Sequence, residues 1–541
     1  MLSSEIKNKI QLLWDRLWGG GLSNPITAIE NISYLLFMKR LEKFHLNVEN
    51  KYKWSNYNTL QGNELKKRIN DVFSYIQKNL ANEDEPFAVE MKKAKFEITT
   101  PSLLEDSVKI IDDVFAKIEE EEAKNQYFQD LQGDVYEYLL NATSQAGKNG
   151  QFRTPRHIIQ MMVELVQPNI KEKNTKICDV TSGSSGFLVG SYQYILKENS
   201  SHIELDDDNQ LEKGLDGEEL SVEDKIRLKE NTFVGFDIDA TMVRIGMMNM
   251  MMHGISIPDI IHINTLSSDY EHFFLNDKSL LEPVKDERIA QEKHEKYEKL
   301  FTELGKEQFD YILANPPFSA KLNSNSVSKN LNRVYTIKED AKKAQPLQTE
   351  LLFLERIVYM LKKGGKAAVI VPEGVLFSSS GAYKNIREIL LKDCNLEAVI
   401  SLPNGVFNPY TGVKTSILLF TKKEFNSNTF NTKRVWFYGM ESDGYTLDSS
   451  RKKIINCYPL PEVINHFRNR TSMSKENKKN NHFYIRLSEI EENGYELNYN
   501  LYKEFVLEEY DYEPPMELLE KIYKLEHEIF SSLENLKEEM R

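Results

Sequence analysis

Leu313-Ala314-Asn315-Pro316-Pro317-Phe318 decides how this chain is read. It follows Phe309-Asp310-Tyr311-Ile312, so an apolar strand is expected to run straight into Asn-Pro-Pro-aromatic. Two successive prolines fix φ and remove two backbone donors, which ends the strand there. What remains at the carboxyl end is a rigid pair of carbonyls, an asparagine amide and an aromatic face. Open parallel α/β sheets bind their ligands outside that end of the strands.

The residue types suit methylation of an exocyclic amine on a flat ring. Such a nitrogen shares its lone pair with the ring and is a poor nucleophile. The Asn315 side-chain oxygen and the Pro316 carbonyl could accept both amino hydrogens and favour a tetrahedral nitrogen. Phe318 would stack on the ring, as aromatic side chains stack on flipped bases. A plain strand-to-loop turn is the competing reading, because Asn and Pro are common turn formers.

The flanking segments alternate between strand and helix. Strand 176–180 runs into Thr181-Ser182-Gly183-Ser184-Ser185-Gly186-Phe187-Leu188, a small-residue loop that lets backbone approach a cofactor. Asp179 ends that strand. Strand 232–236 ends at Asp237, where an acidic residue grips ribose hydroxyls, and a Met-rich helix follows at 240–253. Further strands are expected at 259–263, 366–371, 396–400 and 415–420. With the Asn315 strand these make seven, which predicts an α/β fold with a doubly wound, mostly parallel, Rossmann-like sheet. No helix separates the last two strands, so they are expected to pair antiparallel.

Just upstream, Gly150-Gln151-Phe152-Arg153-Thr154-Pro155-Arg156 opens a helix with Ile158, Ile159, Met162 and Leu165 on its apolar face. Thr154 is the expected N-cap and Pro155 the first helical residue. Its N-terminus could take the carboxylate of an amino-acid-like cofactor.

At 541 residues the chain is too long for one core. The expected division is a helical N-terminal domain (1–140), a methyltransferase catalytic domain (141–467), a polar linker (468–482) and a helical C-terminal region for partner docking (483–541). In the first, Ile6, Ile10, Leu13, Trp14 and Leu17 form a helical stripe, and a second helix starts near Pro25 with Ser23 or Asn24 as cap. Partner binding, DNA clamping and a structural cap all remain open for it. The polar stretch 319–346 is read either as a DNA-contacting loop or as a solvated one. The tail from about 515 carries Leu518, Ile522, Leu525, Ile529 and Leu533 on one face, for packing on its own chain or for a partner.

Lys and Arg number 69 against 83 Asp and Glu, a net charge of −14. Phosphate contacts supply most nucleic-acid affinity, so a base-modifying chain this acidic is expected to borrow affinity from a partner or to confine its basic surface to one cleft. Three scattered cysteines show no metal spacing, and no metal is assigned. No apolar run approaches a membrane span, and the chain reads as cytoplasmic with no membrane partner.

Taken together, the Gly150-to-Arg156 segment, Asp179-to-Leu188, Gly235-Phe236-Asp237, Asn315-to-Phe318 and Gln348-Thr349-Glu350-Leu351 resemble N6-adenine DNA methyltransferases. The nearest resemblance is to the methylation (M, HsdM-like) subunit of type I restriction–modification systems. It implies S-adenosylmethionine as donor and an adenine flipped out of DNA as acceptor. By position, Gln151, Phe152, Arg153, Thr154, Pro155, Arg156, Asp179, Ser182, Gly183, Ser184 and Gly186 would hold the cofactor, and Asp237 its ribose. Asn315, Pro316, Pro317 and Phe318 would be catalytic. The implied partners are DNA, a specificity subunit, a second methylation subunit and a nuclease–translocase subunit. Val180, Ser185 and Asn264 depart from the family pattern; a Cβ at 185 would crowd the cofactor or strain a positive-φ position. Two alternatives stand beside this reading: a protein-glutamine N5-methyltransferase, and a catalytically weak assembly scaffold. Cytosine N4 methylation is a further variant, which Phe318 fits less well.

Overall fold

A computed structural model describes residues 4–22, 24–44, 48–79, 85–125, 154–205, 212–213, 215–256, 258–335, 345–424, 429–470, 477–504 and 514–539. The described residues before 126 form the helices α1 (Ser4–Gly19), α2 (Pro25–Phe44), α3 (Gly62–Asn79), α4 (Pro86–Met91) and α5 (Pro101–Asn125). The apolar stripe of α1 is buried at Ile6, Ile10, Leu13, Trp14 and Leu17. Asn24 starts α2, accepting the Ile26 N–H on its side-chain oxygen at 3.0 Å.

The catalytic part is one mixed sheet: β1 (Ile177–Asp179), β2 (Phe233–Asp237), β3 (Asp259–His262), β4 (Phe309–Ala314), β5 (Leu361–Pro372), β6 (Cys394–Ser401), β7 (Thr415–Lys422), β8 (Arg434–Gly439) and β9 (His482–Arg486). Their spatial order is β9-β8-β6-β7-β5-β4-β1-β2-β3. All seven expected strands are present, and β7 is antiparallel to both β5 and β6. Among the described residues this sheet nonetheless has two strands more than expected. β8 adds parallel to β6, and β9 closes that edge antiparallel to β8. The sheet therefore extends across the boundary between the expected linker and the expected helical tail. Trp436 and Phe437 on β8 are fully buried, one on each face, which is the driving force for this extension.

Side chains alternate between two apolar clusters, one on each face of the sheet. On β4, Leu313 enters one and Ile312 the other; on β5, Ala368 and Ile370 oppose Ala367 and Val369. Helices α6 (Arg156–Val166), α7 (Gly186–Lys197) and α8 (Ala240–Met252) supply the first cluster, which continues without a break into α1–α5. Helices α9 (Thr349–Met360) and α10 (Gly381–Asp393) supply the second. Helix α4 packs against β3, the strand at one end of the sheet, where Glu90 lies 3.5 Å from His262.

β1 pairs with both β2 and β4. From β1 the chain moves outward through β2 and β3, then returns to lay β4 on the other side. The switch point therefore falls between β1 and β4, so the loop after β1 and the Asn315 turn open side by side. Helix α11 (Pro515–Glu539) is exposed over Pro515–Glu538. Among the described residues no helix is long and apolar enough to cross a membrane.

Candidate active site

A cleft of about 430 Å³ lies at this switch point. Its walls include Thr154, Asp179, Ser182, Gly183, Ser184, Gly186, Asp237, Asn315 and Pro317. Most of the residues expected to act together are thus brought together. Pro155, Arg156, Pro316 and Phe318 are not part of the cleft lining. Gln151, Phe152 and Arg153 lie outside the described residues.

Asn315 follows β4 directly, with its side chain fixed from one side. Its Nδ2 donates to Thr154 Oγ1 at 3.0 Å, while its Oδ1 is buried and has no partner. A buried acceptor without a donor costs about 1–3 kcal/mol, and this one is open to a donor on the cleft side. Thr154 corrects the expectation for this segment: α6 begins at Arg156, Pro155 is the cap residue, and no side chain caps the helix. The boundary differs by one residue, within the usual scatter. The hydroxyl's use differs more, because it receives the Asn315 amide. Phe318 meets Phe407 edge-on, with ring centroids 6.0 Å apart.

The loop after β1 is held by its own backbone and by Asp237. Gly183 N donates to Asp237 Oδ2 at 2.8 Å, and Asp239 N donates to Asp237 Oδ1 at 2.8 Å. Asp237 is thereby oriented at the end of β2, and burial pushes its carboxyl up against those two N–H donors. Burial pushes Asp179 further, to about 8, opposed by the Thr181 N–H and helped by the nearby Asp237 charge. Gly183 has φ 49°, and a Cβ there would project into open space. The loop presents bare backbone to the cleft, as close approach to a cofactor requires.

Ser185 does occupy a positive-φ position, at φ 63°. Its side chain does not crowd the cleft. It is fully buried and turns towards Gly246 of α8, where an added Cβ would lie 2.5 Å from Ser185 Oγ. Asn249 Nδ2, one turn on, donates to the Ser184 carbonyl at 2.7 Å. Asn264 lines the cleft, and its Oδ1 is engaged by the Leu266 N–H at 3.1 Å.

Thr349 was singled out in the sequence within Gln348-to-Leu351, without a role, and other lining residues had no signal there. Thr349 follows the polar excursion 319–346, whose base is a two-stranded clip pairing Lys321 with Gln348. Tyr410 comes from the loop between β6 and β7. Asn24 and, from α2, Pro25, Ile26 and Ile29 come from the N-terminal helical segment.

The cleft fits S-adenosylmethionine in two respects: exposed glycine-loop backbone and an oriented carboxylate after β2. Comparison with known proteins gives the same direction. The chain is 27% identical over 436 residues to the type I restriction enzyme EcoEI methylase subunit of Escherichia coli, covering 77% of this chain and 74% of that one. It is 25% identical over 462 residues to the EcoKI methylase subunit of Escherichia coli strain K12, covering 82% and 72%. Among solved structures, the type I restriction-modification system methyltransferase subunit from Streptococcus thermophilus shares the fold with a TM-score of 0.58 at 17% identity, covering 93% of this chain and 100% of that one. A chain of an assembled type I R-M system does so with a TM-score of 0.61 at 22% identity, covering 99% and 98%. The profile of N-6 DNA methylases matches residues 128–510, well over half of the sequence, and the chain belongs to the N-6 DNA methylase family.

Proposed function

We propose that this chain transfers a methyl group from S-adenosylmethionine to N6 of an adenine turned out of DNA, as the modification subunit of a type I restriction–modification complex. The orphaned, buried Oδ1 of Asn315 carries the reading. With Nδ2 on Thr154, the other end of the amide is an acceptor, and an exocyclic amine is a donor that suits it. The Pro316 carbonyl takes the second amino hydrogen. Drawing both hydrogens out of the ring plane returns the lone pair to nitrogen.

Bound S-adenosylmethionine supplies the electrophilic methyl group; the nitrogen gains the methyl, the donor leaves as S-adenosylhomocysteine, and the amino proton passes to solvent. Gly183 and its neighbours hold the donor's methionine end, Asp237 the ribose. Phe318, braced edge-on by Phe407, stacks on the base.

DNA, a specificity subunit, a second methylation subunit and a nuclease–translocase subunit are the proposed partners. The net charge of −14 supports borrowed DNA affinity. The exposed apolar residues of α11, Ile522, Leu525, Ile529 and Leu533 among them, support a docking helix.

The test is transfer of labelled methyl into unmodified DNA by the chain purified with its specificity subunit. The expected product is N6-methyladenine, lost in Asn315→Ala while cofactor binding persists. Full activity in Asn315→Ala would remove Asn315 from the reaction, and labelled N4-methylcytosine would move the substrate to cytosine.

A further inference from the structure

The cleft is walled on one side by the start of α2. Ile26 and Ile29 of α2 line it together with Ile238 and Met242. Two contacts fix how α2 lies. Arg244 Nε donates to Glu30 Oε1 at 2.6 Å, and Arg40 donates to the Met252 carbonyl at 2.6 Å. Moving forward along α2 from 30 to 40 thus moves forward along α8 from 244 to 252, so the helices run side by side in the same direction. The first turn of α2 therefore meets the first turn of α8, immediately after Asp237.

This placement is held firmly. Glu30 and Arg244 are both buried, and Tyr34 donates its hydroxyl to the same Glu30 oxygen at 2.6 Å. A buried charge pair that is bonded this way fixes register, because any slip leaves a charge unpaired. The shared apolar cluster around it runs from α2 into α8.

We infer that Ile26 and Ile29 form the apolar wall of the adenosine subsite, making the N-terminal helical domain a component of the cofactor pocket. A purine needs apolar surface against its faces, and Asp237 already places the ribose at this end of the cleft. Ile238 and Met242 offer surface from the catalytic part, and Ile26 and Ile29 supply it from α2. The inference rests on the reading that the cleft takes S-adenosylmethionine.

Calorimetric binding of S-adenosylhomocysteine and of 5′-methylthioadenosine, which lacks the amino-acid end, tests it on the full chain. Ile26→Asp puts a carboxylate into the subsite at a helix first turn, where the helix tolerates it well. It is expected to weaken both ligands by a common factor of about tenfold or more with Tm unchanged. Ile26→Ala, which only removes apolar area, is expected to weaken both by about threefold to tenfold. Affinity within twofold of wild type in both variants would overturn the inference. Loss confined to S-adenosylhomocysteine would also overturn it, by moving Ile26 to the methionine end. If the wild-type chain binds neither ligand, the cofactor reading fails first and takes this inference with it.

Discussion

Asn315 is held by one hydrogen bond, and that bond sets where the other half of its amide points. Thr154→Val removes the hydroxyl at nearly constant shape. It is expected to lower kcat about 10- to 100-fold, since small misplacements of reacting groups cost this much. Because its hydroxyl is taken by Asn315 and not free for the cofactor, the S-adenosylmethionine Kd is expected to change far less than kcat. Single-turnover transfer beside equilibrium binding separates the two. Asp179 gives a pH signature. Its folded-state pKa, about 8, lies above the unfolded value, so the folded chain holds the extra proton and its stability falls as pH rises between about 4 and 8. Asp179→Asn lacks that dependence. The Tm difference between variant and wild type is expected to move in the variant's favour across this window, and a pH series of thermal melts would show it. Asn315 was legible in the sequence because two prolines made its turn unambiguous. Its partner was not, because Thr154 is 161 residues away and its hydroxyl reads equally well as a helix cap.

Helix α8 and the loop after β1 are packed so closely that each limits the other. Ser185 carries a left-handed backbone and a buried hydroxyl without a partner. Ser185→Gly removes both costs against the greater unfolded-state freedom of glycine, and is expected to stabilise by about 1 kcal/mol with no loss of cofactor affinity. Gly246→Ala does the reverse. Its Cβ would stand 2.5 Å from Ser185 Oγ and 2.9 Å from the Gly183 carbonyl, and overpacking of this kind costs about 1–3 kcal/mol. Lower Tm together with weaker S-adenosylhomocysteine binding is expected, with partial rescue in the double variant. At this scale the core strands were readable because each is an apolar run bounded by glycine, proline or acidic residues. β8 and β9 did carry a local signal, the aromatic and β-branched runs Val435-Trp436-Phe437-Tyr438 and Phe483-Tyr484-Ile485. Among the described residues no helix separates β7 from β8, however, so the strand–helix alternation ended before it reached them.

The whole molecule combines an apolar core that crosses from the N-terminal helices into the sheet with an arm, α11, exposed along its described length. Truncation before Pro515 is therefore expected to leave Tm and cofactor binding unchanged while abolishing co-purification of the specificity subunit, as size-exclusion chromatography of the co-expressed pair would report. The alternating α/β order and the helical N-terminal part were legible at this scale. The first turn of α2 in the cleft at the switch point was not, because long-range docking leaves no periodicity in sequence. The packing of α4 against β3 bears on how the chain is made. A strand at the end of a sheet offers unpaired backbone groups to other chains. Synthesis runs from the N-terminus and domains fold as they emerge, so α4 leaves the ribosome well before Asp259–His262. The helix that β3 packs against is therefore synthesised before the strand itself.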